Sequence, residues 1–154
     1  MDHNSSRFLT VDLFSKKTRS KIMACVKSEN TAPERLVRSL IHRLGFRFRL
    51  NKRDLPGKPD IVLTRLRTVV FVHGCFWHGH KCARGHRLPK ANASYWRKKI
   101  ARNRVRDRAN LMALKTDHWK AVVVWECEIK DREKLVRKMQ SHLSSDRTLG
   151  DRLS

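Results

Sequence analysis

The apolar positions change period several times along the chain, and each change marks a predicted element. Ile22, Met23 and Val26 form a helical stripe within Lys16–Lys27. Thr31-Ala32-Pro33-Glu34 reads as a capping box, with Thr31 as N-cap and Glu34 at the third helical position. Leu36, Val37, Leu40, Ile41 and Leu44 mark one face of the helix that follows, and Gly45 ends it. Phe46 to Leu50 alternates apolar with basic residues, as a strand with one wet face does. Asp54 to Pro59 is a turn by composition. Asp60 to Leu63 is a short strand, Arg65-Leu66-Arg67 turns back, and Thr68 to Val72 is nearly all apolar. A hairpin with a central second strand is expected. Residues 73–93 form a long loop rich in His, Gly, Cys and Lys, and long ordered loops usually carry function. Tyr95 to Lys115 reads as a helix with Trp96, Ile100, Leu111 and Leu114 on one face, interrupted by Asn103 and Asp107. Trp96 shares the stripe of Ile100 and is expected in the core. Trp119 to Trp125 is a further apolar strand, and Lys130 to Leu143 a last helix. The order predicts an α/β fold, a central mixed β-sheet flanked by helices. It occupies one domain over 16–145, between a mobile arm at 1–15 and a polar tail at 146–154.

Charge changes this picture from a generic domain to one with a polyanionic partner. The 154 residues carry 36 Lys and Arg against 14 Asp and Glu, a net charge of +22. Residues 61–106 hold 12 basic residues and no acidic one, and seven basic residues crowd positions 97–108. A single-sign field of this size acts on partners rather than on folding, and nucleic acid is the simplest such partner. No apolar run approaches the ~18 residues of a membrane span. Met1 to Ser6 carries no apolar stretch, so no secretory leader is expected. The protein is placed in the cytoplasm, without a membrane partner.

The chemistry lies in the basic block. Cys75, His80 and Cys82 offer three soft or borderline ligands from one loop, and Cys127, just past the strand ending at Trp125, offers a fourth. Three cysteines and one histidine suit tetrahedral Zn²⁺ with no open position, hence a structural site. Cys25 stands alone and reads as a small apolar residue. Asp60, beside a Pro/Gly turn, suits a hard oxygen ligand for Mg²⁺, which phosphodiester hydrolysis uses to activate water and stabilise charge. His78 stands in the same loop, free of the zinc set, and is the candidate general base. Glu34 is either a capping residue alone, or it also holds a water near the metal or orients a histidine. Phe76 and Trp77 are either wedges that stack on bases or a cover for the zinc site.

Taken in order, these segments resemble the very short patch repair (Vsr) endonucleases. The matching stretches include Thr18-Arg19-Ser20-Lys21, Met23, Thr31 to Leu36, Leu55 to Asp60 and His73-Gly74-Cys75-Phe76-Trp77-His78. They continue through His80-Lys81-Cys82, the Trp96 helix with Asn103 and Arg106-Asp107-Arg108, and Val124-Trp125-Glu126-Cys127. The resemblance implies a restriction-endonuclease-like fold in a bacterial, nucleoid-associated enzyme. It implies a Mg²⁺-dependent nick in one strand of duplex DNA, 5′ to the thymine of a T:G mismatch left by deamination of 5-methylcytosine. By position, Asp60 resembles the metal-binding aspartate and His78 the catalytic histidine, with Glu34 and His73 as accessory groups. Cys75, His80, Cys82 and Cys127 match the zinc ligands. Met23, Phe76 and Trp77 match intercalating residues, and Trp96 a further contact to distorted DNA. Arg19, Lys21, Lys99 and Asn103 are assigned to the DNA on the same basis.

The wider nuclease superfamily places a second acid and a lysine on the strand after Pro-Asp, where this chain reads Val72-His73-Gly74. The Vsr endonucleases also lack that acid and commonly carry threonine where this chain has Val72, and the resemblance implies that the Val72 backbone carbonyl is the other protein ligand of Mg²⁺. A monomer is expected, with mismatch-repair proteins as candidate partners. The competing reading is a non-catalytic, zinc-stabilised nucleic-acid-binding module, which needs neither Asp60 nor His78. A zinc deaminase lacks support, since no His-x-Glu or Pro-Cys-x-x-Cys occurs.

Overall fold

The capping box at Thr31 opens a helix as the sequence predicts. In the computed structural model, which describes residues 29–50 and 54–144, helix α1 covers Ala32–Arg43. The Thr31 side chain accepts the Glu34 N–H, and Pro33 sits in the first turn, where no N–H is required. The helix closes in a Schellman arrangement: Gly45, at φ 86°, donates to His42, and Phe46 donates to Ile41. Phe46 is thereby drawn into the core, and the strand expected from Phe46 shrinks to β1, Arg49–Leu50. Leu36 lies at the rim of the α1 stripe, about 100° from Val37, and remains 42% exposed.

Strand β2 is Ile61–Leu63 and β3 is Thr68–His73, joined by a 3-10 turn at Thr64–Leu66 that ends on Arg67 in the left-handed region. They pair antiparallel as the hairpin predicts, with Ile61 opposite Val70. Strand β4, Lys120–Trp125, pairs parallel with β3, so the sheet order is β1-β2-β3-β4 and the sheet is mixed. The sequence between β3 and β4 holds the site loop, a short helix α2 at Ala83–His86 that the sequence reading left as loop, and the long helix α3 at Ala93–Thr116. The last helix, α4, is Arg132–Ser144. It starts later than expected because Asp131 caps it, accepting the Lys134 N–H at 3.0 Å.

Alternation along the strands divides the core in two. Ile61, Leu63, Val70, Val122 and Val124 pack with Val37, Ile41, Leu135, Met139 and Leu143 of α1 and α4. Val62, Val69 and Phe71 pack on the opposite face with Leu55, Leu114 and Trp119. Helix α3 thus seats on the sheet through its C-terminal half. There Arg67 donates to the carbonyls of Asp117 and His118 and lies 5.1 Å from the Trp119 ring. The N-terminal half of α3 lies beside residues 76–79, with Trp96 against Phe76 and Trp77 and Ile100 next to Gly79. The arm at 1–15, the Lys16–Lys27 helix with Arg19, Lys21, Met23 and Cys25, and the tail at 146–154 lie outside the described residues. Among the described residues no helix is long and apolar enough to cross a membrane.

Candidate active site and metal centre

Strands β3 and β4 end side by side, with His73 opposite Trp125. Sites on α/β sheets form where strands end, because the loops leaving them are free to vary. Cys75 follows β3, and Cys127 lies in the 3-10 turn Glu126–Lys130 that follows β4. The loop then folds back, His80 donating its N–H to the Cys75 carbonyl at 2.9 Å, and Cys82 caps α2. The donor atoms of Cys75, His80, Cys82 and Cys127 all lie within 4.8 Å of one another, and Cys127 Sγ is 3.4 Å from His80 Nδ1. A tetrahedral ion with bonds of 2.0–2.3 Å spaces its ligand atoms about 3.5 Å apart, so the set fits zinc as the sequence proposed. Burial pushes the Cys75 thiol up to about 12, while the hydrogen bond with His80 draws Cys82 down to about 6. Gly85 of α2 makes the fold of this knuckle possible: a Cβ there would stand 2.0 Å from the His80 carbonyl oxygen.

On the other side of β3, Asp60 stands just before β2. Its Oδ2 accepts the Val72 N–H at 2.7 Å. A strand residue directs its N–H and C=O to the same edge, so the Val72 carbonyl turns toward the Asp60 side, where β2 has not yet begun. Burial raises the Asp60 pKa to about 6, against the lowering effect of the Val72 bond. Glu34 is buried, accepting from the Asn30 N–H (2.8 Å), the Thr31 hydroxyl (2.8 Å) and Arg38 (3.0 Å). It therefore caps α1, and its hydrogen bonds go to no histidine. It also lines the same cleft as Asp60.

His73 and His78 stack face to face, with ring centroids 3.8 Å apart and planes 6° apart. His78 Nδ1 lies 2.6 Å from Asp107 Oδ2. A carboxylate accepts, so Nδ1 donates, and in the neutral ring this leaves the lone pair on Nε2. Burial first, and then the neighbouring His78, lower the His73 pKa to about 4.

Asp60, His78, Glu34 and His73 all line one cleft of about 520 Å³. Asp107, Lys58 and Arg106 line it too and were missed as functional residues. Asp107 had a signal in the sequence: with Asn103 it breaks the inward face of α3 at a spacing of four, and a polar pair there needs partners. Asn103 finds one by donating to the Trp77 carbonyl at 2.9 Å. Each acid of the cleft is engaged: Glu34 with Arg38, Asp107 with His78, and Asp60 with the Val72 amide. The side chains of Lys58 and Arg106 have no ion-pair partner among the described residues.

Phe76 and Trp77 meet edge to face at 5.0 Å, and both pack edgewise against Trp96, at 5.5 and 5.8 Å. Trp96 belongs to this half-exposed cluster rather than to either core, contrary to the stripe it shares with Ile100. Tyr95 extends the cluster and is 52% exposed. Lys99 Nζ stands 5.3–5.8 Å from the rings of Trp77, Trp96 and Tyr95. The ring that covers zinc-ligand candidate His80 is instead Trp125, stacked at 4.3 Å.

The chain is similar in sequence to known proteins. Residues 11–84 match the family described as DNA mismatch endonuclease Vsr. The type II nicking enzyme V.XorIIP of Xanthomonas oryzae pv. oryzae is 48% identical over 86% of this chain and 96% of its own length. The type II nicking enzyme V.NmeAIP of Neisseria meningitidis is 47% identical over 79% of this chain and 86% of its own. The DNA mismatch endonuclease Vsr of Escherichia coli is 40% identical over 80% of this chain and 79% of its own.

Proposed function

The chain belongs to the Vsr family and is a DNA-nicking endonuclease, and on that premise we propose that it nicks duplex DNA 5′ to the thymine of a T:G mismatch. The lesion is the one left by deamination of 5-methylcytosine, and the reaction is Mg²⁺-dependent phosphodiester hydrolysis on a restriction-endonuclease-like fold. The observation that carries the proposal is the His78–Asp107 pair in one cleft with Asp60 and the free edge of Val72.

Asp60 and the Val72 carbonyl would hold Mg²⁺, which supplies charge neutralisation at the phosphate and activation of water. Nε2 of His78 takes the proton of the attacking water. Asp107 orients the ring and stabilises the imidazolium that results. His73, held neutral by its burial, stacks on His78 without adding a second positive charge. Lys58 and Arg106 meet the phosphate oxygens as cations that no carboxylate pairs with among the described residues. Phe76 and Trp77, with Met23, wedge beside the mismatch, Trp96 contacts the distorted DNA, and Lys99, Arg19 and Lys21 attend the backbone. Asn103 serves this surface by fixing the main chain of Trp77. Zn²⁺ on Cys75, His80, Cys82 and Cys127 is structural, pinning the loop that carries His78.

The test is a nicking assay on an end-labelled duplex with one T:G mismatch beside its T:A twin, in several flanking sequences, with Mg²⁺ or a chelator. A Mg²⁺-dependent nick confined to the mismatched duplex is expected. Tight binding with no nick in any context would leave the zinc-stabilised binding module. Binding itself should weaken steeply with salt, by about 10³-fold or more between roughly 50 and 200 mM if six or more phosphates are contacted. A flat salt series, read by fluorescence anisotropy, would remove the electrostatic basis of the proposal.

The zinc assignment has its own test at Gly85. Gly85→Ala forces its Cβ into the His80 carbonyl, displacing a ligand. A cost of about 3 kcal/mol is expected, read as a Tm about 10 °C lower with less than one zinc per chain by metal analysis. An alanine variant with full zinc and unchanged Tm would contradict it.

A further inference from the structure

The hydrogen bond to Asp107 holds Nδ1 of the His78 ring at one point of its rotation about Cβ–Cγ. If that bond breaks or lengthens, the ring turns and Nε2 sweeps across the cleft. Two neighbours restrain the swing. His73 lies parallel to it at 3.8 Å. The other is Trp125, whose ring stands nearly perpendicular to both, 5.4 Å from His73 at 74° and 6.5 Å from His78 at 71°. The indole that walls this pair is the same one that stacks on His80 at 4.3 Å and 21°.

Trp125 is itself held from behind. Its backbone N–H donates to Glu128 Oε2 at 2.8 Å, and Lys138 of α4 donates to both Glu128 oxygens, at 2.8 and 2.9 Å. The same Lys138 donates to the Val123 carbonyl at 2.8 Å, so the end of β4 is clamped to α4. His80 turns Nδ1 toward Cys127 and one ring face toward Trp125. We propose that Trp125 is a positioning residue that carries the geometry of the Cys/His metal cluster into the His73–His78 stack. An ion that fixes the His80 ring thereby fixes the indole, and the indole sets the plane in which His78 presents Nε2. Trp125 touches no substrate in this role; it acts through two histidines.

This inference rests on the proposed nicking reaction, and its test separates the two. Trp125→Leu and Trp125→Phe are purified in the zinc-bound form, and zinc content, DNA affinity, KM and kcat are measured on the T:G duplex. Trp125→Leu is expected to keep zinc and KM while kcat falls about tenfold or more, within the range a general base supplies. Trp125→Phe, which keeps an aromatic wall, should restore most of that loss. In the DNA-free protein, the low-field Nδ1–H signal of His78 should broaden by faster solvent exchange in Trp125→Leu and stay sharp in Trp125→Phe. A wild-type kcat in Trp125→Leu overturns the proposal. So does a loss confined to KM, which marks a DNA contact, or equal loss of zinc in both variants, which marks a packing member of the metal site. If the wild-type chain nicks no T:G duplex, the substrate reading fails, and the His78 signal alone then decides the role of Trp125.

Discussion

Asp60→Asn is expected to give a folded protein that binds mismatched DNA and does not nick it. The amide oxygen of asparagine can still accept the Val72 N–H, so the β2–β3 hairpin keeps the bond that anchors it. What is lost is the negative charge. Holding a divalent ion on the phosphate is worth several kcal/mol of transition-state stabilisation, so nicking should fall by about 10³-fold or more. Stability should not fall with it. Burial raises the Asp60 pKa to about 6, so the fold disfavours the carboxylate relative to the unfolded chain. The sign follows: above its unfolded value of 3.8 the ionised group works against folding, and a neutral amide relieves it at pH 7. In metal-free buffer the variant should therefore melt no lower than its parent. Affinity for DNA should be equal or tighter, since a negative charge leaves a cleft that must take phosphate. Nicking within tenfold of wild type would exclude Asp60 as the metal ligand.

Asp107→Asn should cost nearly as much by a different route. An asparagine amide can donate to His78 Nδ1, which moves the ring proton to Nε2 and removes the lone pair that the reaction needs. General-base catalysis contributes about 10²–10⁴-fold, and most of it should go with the tautomer. KM and zinc content should be unchanged, because Asp107 binds neither the substrate nor the cluster ion in the proposed reaction. His78→Ala should be as slow, and the double variant no slower than the worse single one, since the two residues act as a unit. Additive losses in single-turnover kinetics would show that Asp107 works independently of His78.

Much of the site was legible because its chemistry is local. Cys75, His80 and Cys82 lie within one loop, and the capping box names the start of α1 to the residue. Cys127 could be assigned because it follows a strand, and the parallel pairing of β3 with β4 delivers it. What escaped depends on which face of α3 meets the loop. Asp107 is separated from His78 by 29 residues, and only the packing of α3 makes them partners. Trp96 was misplaced for the same reason. A stripe specifies that a side is covered, not that the sheet covers it, and this part of α3 meets Phe76 and Trp77. Trp125, Lys58 and Arg106 fall within stretches that match the family, yet their roles depend on neighbours that the stretches do not name. The strand expected at Phe46 failed because the C-terminal cap of α1 claimed its first residue.

Helix α3 runs unbroken from Ala93 to Thr116. Trp96, Asn103, Asp107 and Leu114 fall at intervals of seven, four and seven residues, which a helix turns to a common side. One rod thus joins the aromatic cluster, the bond from Asn103 to the Trp77 carbonyl, the Asp107–His78 pair and the seat of Leu114 in the core, so a shift of α3 along its axis would move all four together.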